Sequence, residues 1–320
     1  MVNPYDTMES EMSDPVSTDP NCTSITEFDW DDYEEVFHPE YHDESATTVE
    51  ERLKSLQASM LFISGYYATA ESRNVDLDLT KFSADTIADA MNRLGYIPDV
   101  TQSDTFPRLE VPVTARSNGG NSNRKTAEVP PRVNHVETGA VGAVRNQGRC
   151  GSCWAFSTAA AVDGAVFVNE GVTMTSSVQQ FVSCDDADQG CAGGNIVLAM
   201  AYVEANALGG LATDEAFPYT DSGGTATETC PITSTDSLAV SINDPRTVMT
   251  YDDAYTTLER MERLKYALAT QPVTVALSAL CPTLSNYRSG ILTDDIGCSC
   301  EDTRCIDHAV WMVGYDDTDP

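Results

Sequence analysis

The chain is 320 residues long, 41% hydrophobic and 8% aromatic, and carries 50 acidic against 18 basic residues, a formal net charge of −32. That length exceeds the usual single core and predicts two domains, or one domain behind a substantial N-terminal extension. The acid excess repels phosphate backbones and anionic lipid, which argues against a nucleic-acid partner, and no apolar run approaches the roughly 18–20 residues of a membrane-spanning helix.

Residues 1–25 are acidic and rich in Ser, Thr and Pro, and read as a disordered tail. They lack the basic start and apolar stretch of a secretory leader, and Asn21-Cys22-Thr23 forms a glycosylation sequon. From Thr26 to about Leu94 the pattern is helical. Leu53, Leu56, Met60 and Ile63 recur at steps of three and four, thickened by Phe62, Tyr66 and Tyr67. Leu77, Leu79 and Phe82 precede a short helical pattern through Ile87 and Met91, which Gly95 and Pro98 close. Residues 95–128 read as a linker open to proteolysis, with the polar run Ser117 to Asn123 followed by Arg124-Lys125.

Beyond the linker a helix is expected from Cys153 to about Asn169, with Ser152 as N-cap and Gly171 as stop. Further helices are expected near Val178–Ser183, Ile196–Ala207 and Ala254–Ala269, the last stopped before Pro272. Val273 to Leu277 and Ala309 to Val313 are β-rich runs, so helices come first and strands later. Nine of the 10 cysteines lie after residue 149, which suggests an oxidising compartment and disulfides in this part.

The stretch Asn146-Gln147-Gly148-Arg149-Cys150-Gly151-Ser152-Cys153-Trp154-Ala155-Phe156 places a thiol in the first turn of a helix. Unpaired N–H groups and the helix dipole there favour an anion, so Cys153 is expected to have a lowered pKa and to act as a nucleophile. Such a thiolate needs an imidazole to hold the charge pair and protonate a leaving group. Of the four histidines, His38 and His42 sit in the acidic N-terminal region and His135 lies ahead of the motif, which leaves His308 at the start of an apolar strand.

At these residues the sequence resembles a papain-like, cathepsin-type cysteine protease with its inhibitory propeptide attached. The resemblance implies an α+β, two-lobed fold, with a helical N-terminal lobe and a β-barrel-like C-terminal lobe, behind a helical propeptide. It implies Cys153 as nucleophile, His308 as general acid/base and Gln147 as an oxyanion-hole donor. Ser183-Cys184-Asp185, Gly190-Cys191-Ala192-Gly193-Gly194, Phe217-Pro218-Tyr219-Thr220 and Cys230 resemble further family segments, implying the bridges Cys150–Cys191 and Cys184–Cys230. Gly193 and Gly194 would let an extended substrate approach as an added strand, and Ile196, Ala276 and Ala309 fall where the family lines a pocket for an apolar P2 side chain. In the propeptide, Arg52, Leu56, Ser59, Ile63 and Tyr67 reproduce the spacing of the helical signature, with Arg52 and Ile63 keeping the residue type.

The implied organisation is a tail at 1–25, a propeptide at 26–94, an extension and processing linker at 95–128, and a protease domain at 129–320. The expected partners are peptide or protein substrates and the chain's own propeptide, with the molecule a monomer, secreted or lysosomal/vacuolar, and without cofactor or metal. The absence of a second histidine pair in the protease part favours endo- over exo-cleavage.

The family orients its histidine with an asparagine in a later Asn-Ser-Trp-Gly segment, and no Asn follows His308 here. The chain therefore reads as a C-terminally truncated copy, and Asp316, Asp317 and Asp319 as a solvated turn. An inactive homologue acting as a binding or inhibitor protein is the alternative. Two rival chemistries are a C-x-x-C redox pair, Cys150 and Cys153, and a zinc site at Cys298, Cys300, Cys305 and His308. The Asp pairs at 185–186, 252–253, 294–295 and 316–317 lack the glycine and terminal carboxylate of an EF-hand loop and read as exposed acidic surface.

Overall fold

The structure is a computed structural model that describes residues 30–37, 46–69, 75–98, 105–111, 129–205, 210–224, 229–232, 239–242, 244–249, 253–290 and 305–318. The expected tail, the sequon, the polar linker run, the Asp294–Asp295 pair and Cys298 and Cys300 lie outside these residues. The chain forms two compact units, Met1–Asn92 with Ser278–Cys305, and Arg93–Leu277 with Ile306–Pro320. Among the described residues, 278–290 thus group in space with the N-terminal part.

The first unit contains helix α1 (Trp30–Phe37), α2 (Ala46–Thr69), strand β1 (Val75–Leu77), most of α3 (Ile87–Arg93), α9 (Pro282–Ser285) and β4 (Tyr287–Gly290). Its apolar core is small: Tyr33, Leu56 and Ala84 are buried, with Phe37, Met60 and Leu79 against them. The face of α2 that turns inward carries Arg52, Leu56 and Ser59 at steps of four and three, so two of its three buried positions are polar. Each is satisfied. Arg52 donates twice to Asp89 of α3, at 2.7 and 3.1 Å, and Ser59 Oγ donates to the Ser83 carbonyl at 2.8 Å. Ser83 Oγ in turn bonds Asn286 Oδ1 at 2.6 Å, and β1 pairs antiparallel with β4. These long-range polar bonds explain why 278–290 travels with the N-terminal part.

The second unit holds β2 (Arg132–Asn134), α4 (His135–Thr138), α5 (Cys153–Glu170), α6 (Val178–Cys184), α7 (Ile196–Ala205), α8 (Thr257–Thr270), β3 (Val273–Leu277), β5 (His308–Met312) and β6 (Gly314–Asp316). Helix α5 is apolar or small on nearly every side because it is covered on nearly every side, by α6, α7, β3 and β5. Trp154, Ala155, Ala159, Val162, Val178, Phe181, Ala199, Val203 and Leu211 make the core around it. Gly171 ends the helix with φ 69°, the left-handed stop expected of it. Ser152 stands at the N-cap but makes no capping bond; its Oγ instead meets Tyr219 Oη at 3.0 Å. Helix α8 begins three residues later than expected, because Thr256 and Glu259 form a capping box.

β3 and β5 pair antiparallel from Val273↔Met312 to Leu277↔His308, and β2 pairs antiparallel with β6. The described strands form three two-stranded sheets and close no barrel. One expectation of plain acidic surface needs correction: Asp185 is only 6% exposed. Asp316 and Asp317 are exposed as expected, with Arg132 Nε 3.0 Å from Asp316 and Lys265 Nζ 2.6 Å from Asp317.

Candidate active site

Helix α5 presents Cys153 at its first residue, 1% exposed, and β5 begins at His308. The two elements pack directly on one another. The Ala309 N–H donates to Cys153 Sγ at 3.5 Å, and the N–H groups of Gly95 and Trp154 also point to the sulfur. His308 Nδ1 is buried and has no hydrogen-bond partner among the described residues.

The thiol is covered by the chain itself. Gly194 N donates to Gly95 O and Ile97 N to Gly194 O, both at 2.8 Å, so Tyr96 and Gly194 form a parallel bridge. Tyr96 N donates to Asp307 O at 3.0 Å, and Asn195 Nδ2 to Ile97 O at 2.8 Å. The backbone approach at Gly95 admits no side chain: a Cβ there would lie 1.8 Å from Gly151 O. Gly193 and Gly194, expected to receive an extended chain, therefore lie against residues 95–97.

Gln147 is set by its surroundings. Its Nε2 donates to Arg93 O and to Cys150 O, both at 2.8 Å, and its own carbonyl accepts from Tyr219 Oη at 2.8 Å. Its side-chain donor is thus occupied by a backbone carbonyl of the covering segment. Ile196 and Ala276 are half-buried, and Ala309 is 4% exposed.

The electrostatics differ from the expectation of a lowered thiol pKa. Burial pushes Cys153 up, more than the N–H groups of Ala309, Gly95 and Trp154 pull it down. Burial, aided by the charge of Arg93, brings His308 down to about 4. Cover acts on both groups in the direction that disfavours a thiolate–imidazolium pair, because the segment that excludes water removes the solvation an ion pair would draw on.

The cysteine pairing restricts the alternatives. Cys150 is bonded to Cys191 and Cys184 to Cys230, while Cys153 is free. Cys150 is therefore not the redox partner of Cys153. Cys305 is in a disulfide, which removes it as a thiolate ligand for zinc, and the described residues contain no cluster able to hold a metal. No helix among them is long and apolar enough to cross a membrane.

Residues 129–320 match the papain family cysteine protease domain. The chain belongs to the papain family. It is 35% identical over 206 residues to vignain of Phaseolus vulgaris, covering 64% of this chain and 51% of that one. To germination-specific cysteine protease 1 of Arabidopsis thaliana it is 39% identical over 189 residues, 59% of this chain and 45% of that one. The chain thus spans about half the length of these curated relatives. Among solved structures it is similar to the proform of the ragweed pollen allergen Amb a 11, a cysteine protease, with TM-score 0.63 and 25% identity over 87% of this chain and 76% of that one. Digestive procathepsin L2 from the larval midgut of Tenebrio molitor shares the fold, with TM-score 0.71 and 23% identity over 91% and 85% of the two chains. The fold is the papain-like α+β fold of these proenzymes.

Asp89, the buried partner of Arg52, and Gly95, at the point of closest cover, were not marked out by sequence as site residues. Asp89 lies 37 residues from Arg52 on a different helix, so no local spacing signals the first. A glycine just past a helix end reads as a stop, which hid the second.

Proposed function

We propose that the chain is a cysteine-type endopeptidase zymogen. In this reading residues 26–94 are the propeptide, 95–128 the extension and processing linker, and 129–320 the protease domain. Cys153 Sγ attacks a peptide carbonyl, the thiol proton passes to His308, and Gln147 Nε2 donates to the developing oxyanion. His308 then gives that proton to the leaving amine, and water activated by the same ring hydrolyses the thioester. Substrate lies along Gly193 and Gly194, with an apolar P2 side chain among Ile196, Ala276 and Ala309. Residues 93–97 inhibit by occupying this groove, and the thiolate–imidazolium pair forms once they leave and water returns. The disulfides favour a secreted or vacuolar setting.

The observation that carries the reading is that one short segment covers the thiol, occupies the Gln147 donor and bonds the glycine strip together. The test is hydrolysis of a peptide with an apolar P2 residue by protein cleaved ahead of Val129. Wild type should hydrolyse it and Cys153→Ala should not. Hydrolysis retained in Cys153→Ala would overturn the assignment; a folded wild type inert towards peptides would favour an inactive homologue.

A further inference from the structure

The turn between α6 and α7 holds two carboxyl groups that the proposed chemistry does not use. Asp185 is the residue on which α6 ends, and Asp188 follows three positions on, its N–H donating to the Asp185 carbonyl at 3.4 Å. One oxygen of each is committed: Asp185 Oδ1 accepts from Ala187 N at 3.0 Å, and Asp188 Oδ1 from Asn195 N at 2.8 Å. The other oxygen of each, Oδ2, is buried without a hydrogen-bond partner among the described residues, and each carboxyl is close enough to shift the titration of the other. Two neighbouring buried acceptors, each short of a donor, would both be satisfied by a shared proton.

That pair underlies the strip that grips residues 95–97. A Cβ on Gly194 would lie 2.8 Å from Asp188 Cγ and 2.5 Å from the Trp154 ring, so the carboxyl packs directly against the strip. Gln189 N closes the turn onto Gly193 O at 2.9 Å. Asn195, held through its N–H by Asp188, carries the side chain that donates to Ile97 O.

We infer that Asp185 and Asp188 form a shared-proton pair that positions Gly193–Asn195, locking the strip onto an extended chain while the proton is held and loosening it when the proton is lost. The groups acting on the pair offer no compensating cation among the described residues: Asp186 adds negative charge from the same turn, and Tyr202 of α7 and Trp154 of α5 are neutral. Burial, followed by the charge and hydrogen bond of Asp185, pushes Asp188 up to about 7 against the opposing Asn195 N–H. In the opened strip a hydrated carboxyl returns to about 4. A raised value in the closed state means the lock is complete below about 4, is lost as pH rises to about 7, and stays lost above. The inference concerns the grip on residues 95–97 and does not depend on catalysis.

The test is hydrogen exchange of the full chain from pH 5 to pH 8, read in fragments covering Gly194–Val197 and Gly95–Ile97 and corrected for intrinsic rates. Asp188→Asn is the comparison, since a carboxamide keeps a donor towards Asp185 at every pH. His308, which also titrates when the segment lifts, is common to both proteins and cancels in their ratio. The ratio of wild-type to Asp188→Asn opening should climb by up to about tenfold per pH unit between 5 and 7 and then level. A ratio independent of pH would overturn the inference, as would a parallel climb in α8, which would assign the effect to the whole chain. Should Asp188→Asn not fold, the carboxyl 13C titration of Asp188 in wild type decides: a step near 7 is expected, and a step in the ordinary carboxylate range would refute the pair.

Discussion

Replacing Gly95 with Ala should uncover Cys153 without touching it. The added Cβ would meet Gly151 O at 1.8 Å, C at 2.3 Å and Cα at 2.6 Å, all backbone atoms that no rotamer change can move aside. The segment must retreat, and retreat costs the bonds Gly194 N to Gly95 O, Ile97 N to Gly194 O and Tyr96 N to Asp307 O. At roughly 0.5–1.5 kcal/mol net for each of the three, the covered state loses about 1.5–4.5 kcal/mol. That corresponds to a roughly 10- to 1,600-fold larger open population, at about 1.4 kcal/mol per tenfold. The assay is the rate of carboxamidomethylation of Cys153 in the full chain at pH 7, read by mass spectrometry of the peptide that contains it. Gly65→Ala is the control, because nothing among the described residues lies within 4 Å of a Cβ there, and it should alkylate at the wild-type rate. A folded Gly95→Ala protein whose Cys153 reacts no faster than wild type would refute the steric argument.

Asp89→Ala should cost about 3–5 kcal/mol in urea unfolding of the first unit, since it leaves the 1%-exposed Arg52 without its carboxylate. Burial pushes the Asp89 carboxyl up, but hydrogen bonds from Arg52 and Thr86 outweigh it and hold the group below the ordinary value. Its contribution is therefore present above the ordinary carboxylate range and lost as pH falls through the lowered value, so exchange protection in α2 should drop under acid and lose that drop in Asp89→Asn. His308 should titrate near 4 in the NMR spectrum of the full chain and move upward in Gly95→Ala. Because its value is lowered by cover, protonation between about 6.5 and about 4 opposes the cover, the reverse of the effect assigned to Asp185 and Asp188. Cys191→Ser, which opens the bridge to Cys150, should lower unfolding stability by about 2–5 kcal/mol.

What could be read from the sequence was what local pattern encodes. The run from Cys153, the stop at Gly171 and the β-rich runs at Val273 and Ala309 specify α5, β3 and β5 nearly to the residue, and the thiol motif with a strand-edge His308 specifies the chemistry on offer. What escaped were partners set by tertiary context. β1 and β4 are three and four residues long and pair across more than half the chain, and Arg52 finds Asp89 on another helix. The Asp185–Asp186 pair is split by its turn, one residue buried and one exposed, a distinction that composition does not carry. The expected lowering of the Cys153 pKa followed from its helix position, and burial beneath Gly95 reversed it.

In the proposed mechanism Cys153 and His308 become an ion pair when residues 93–97 leave. The pH dependence of Cys153 alkylation in full-length Gly95→Ala, with and without His308→Ala, measures this directly. Rapid alkylation should persist well below the free-thiol pKa of about 8.5 and be lost when the imidazole is removed. An uncovered Cys153 that titrates like a free thiol, with or without His308, would contradict it.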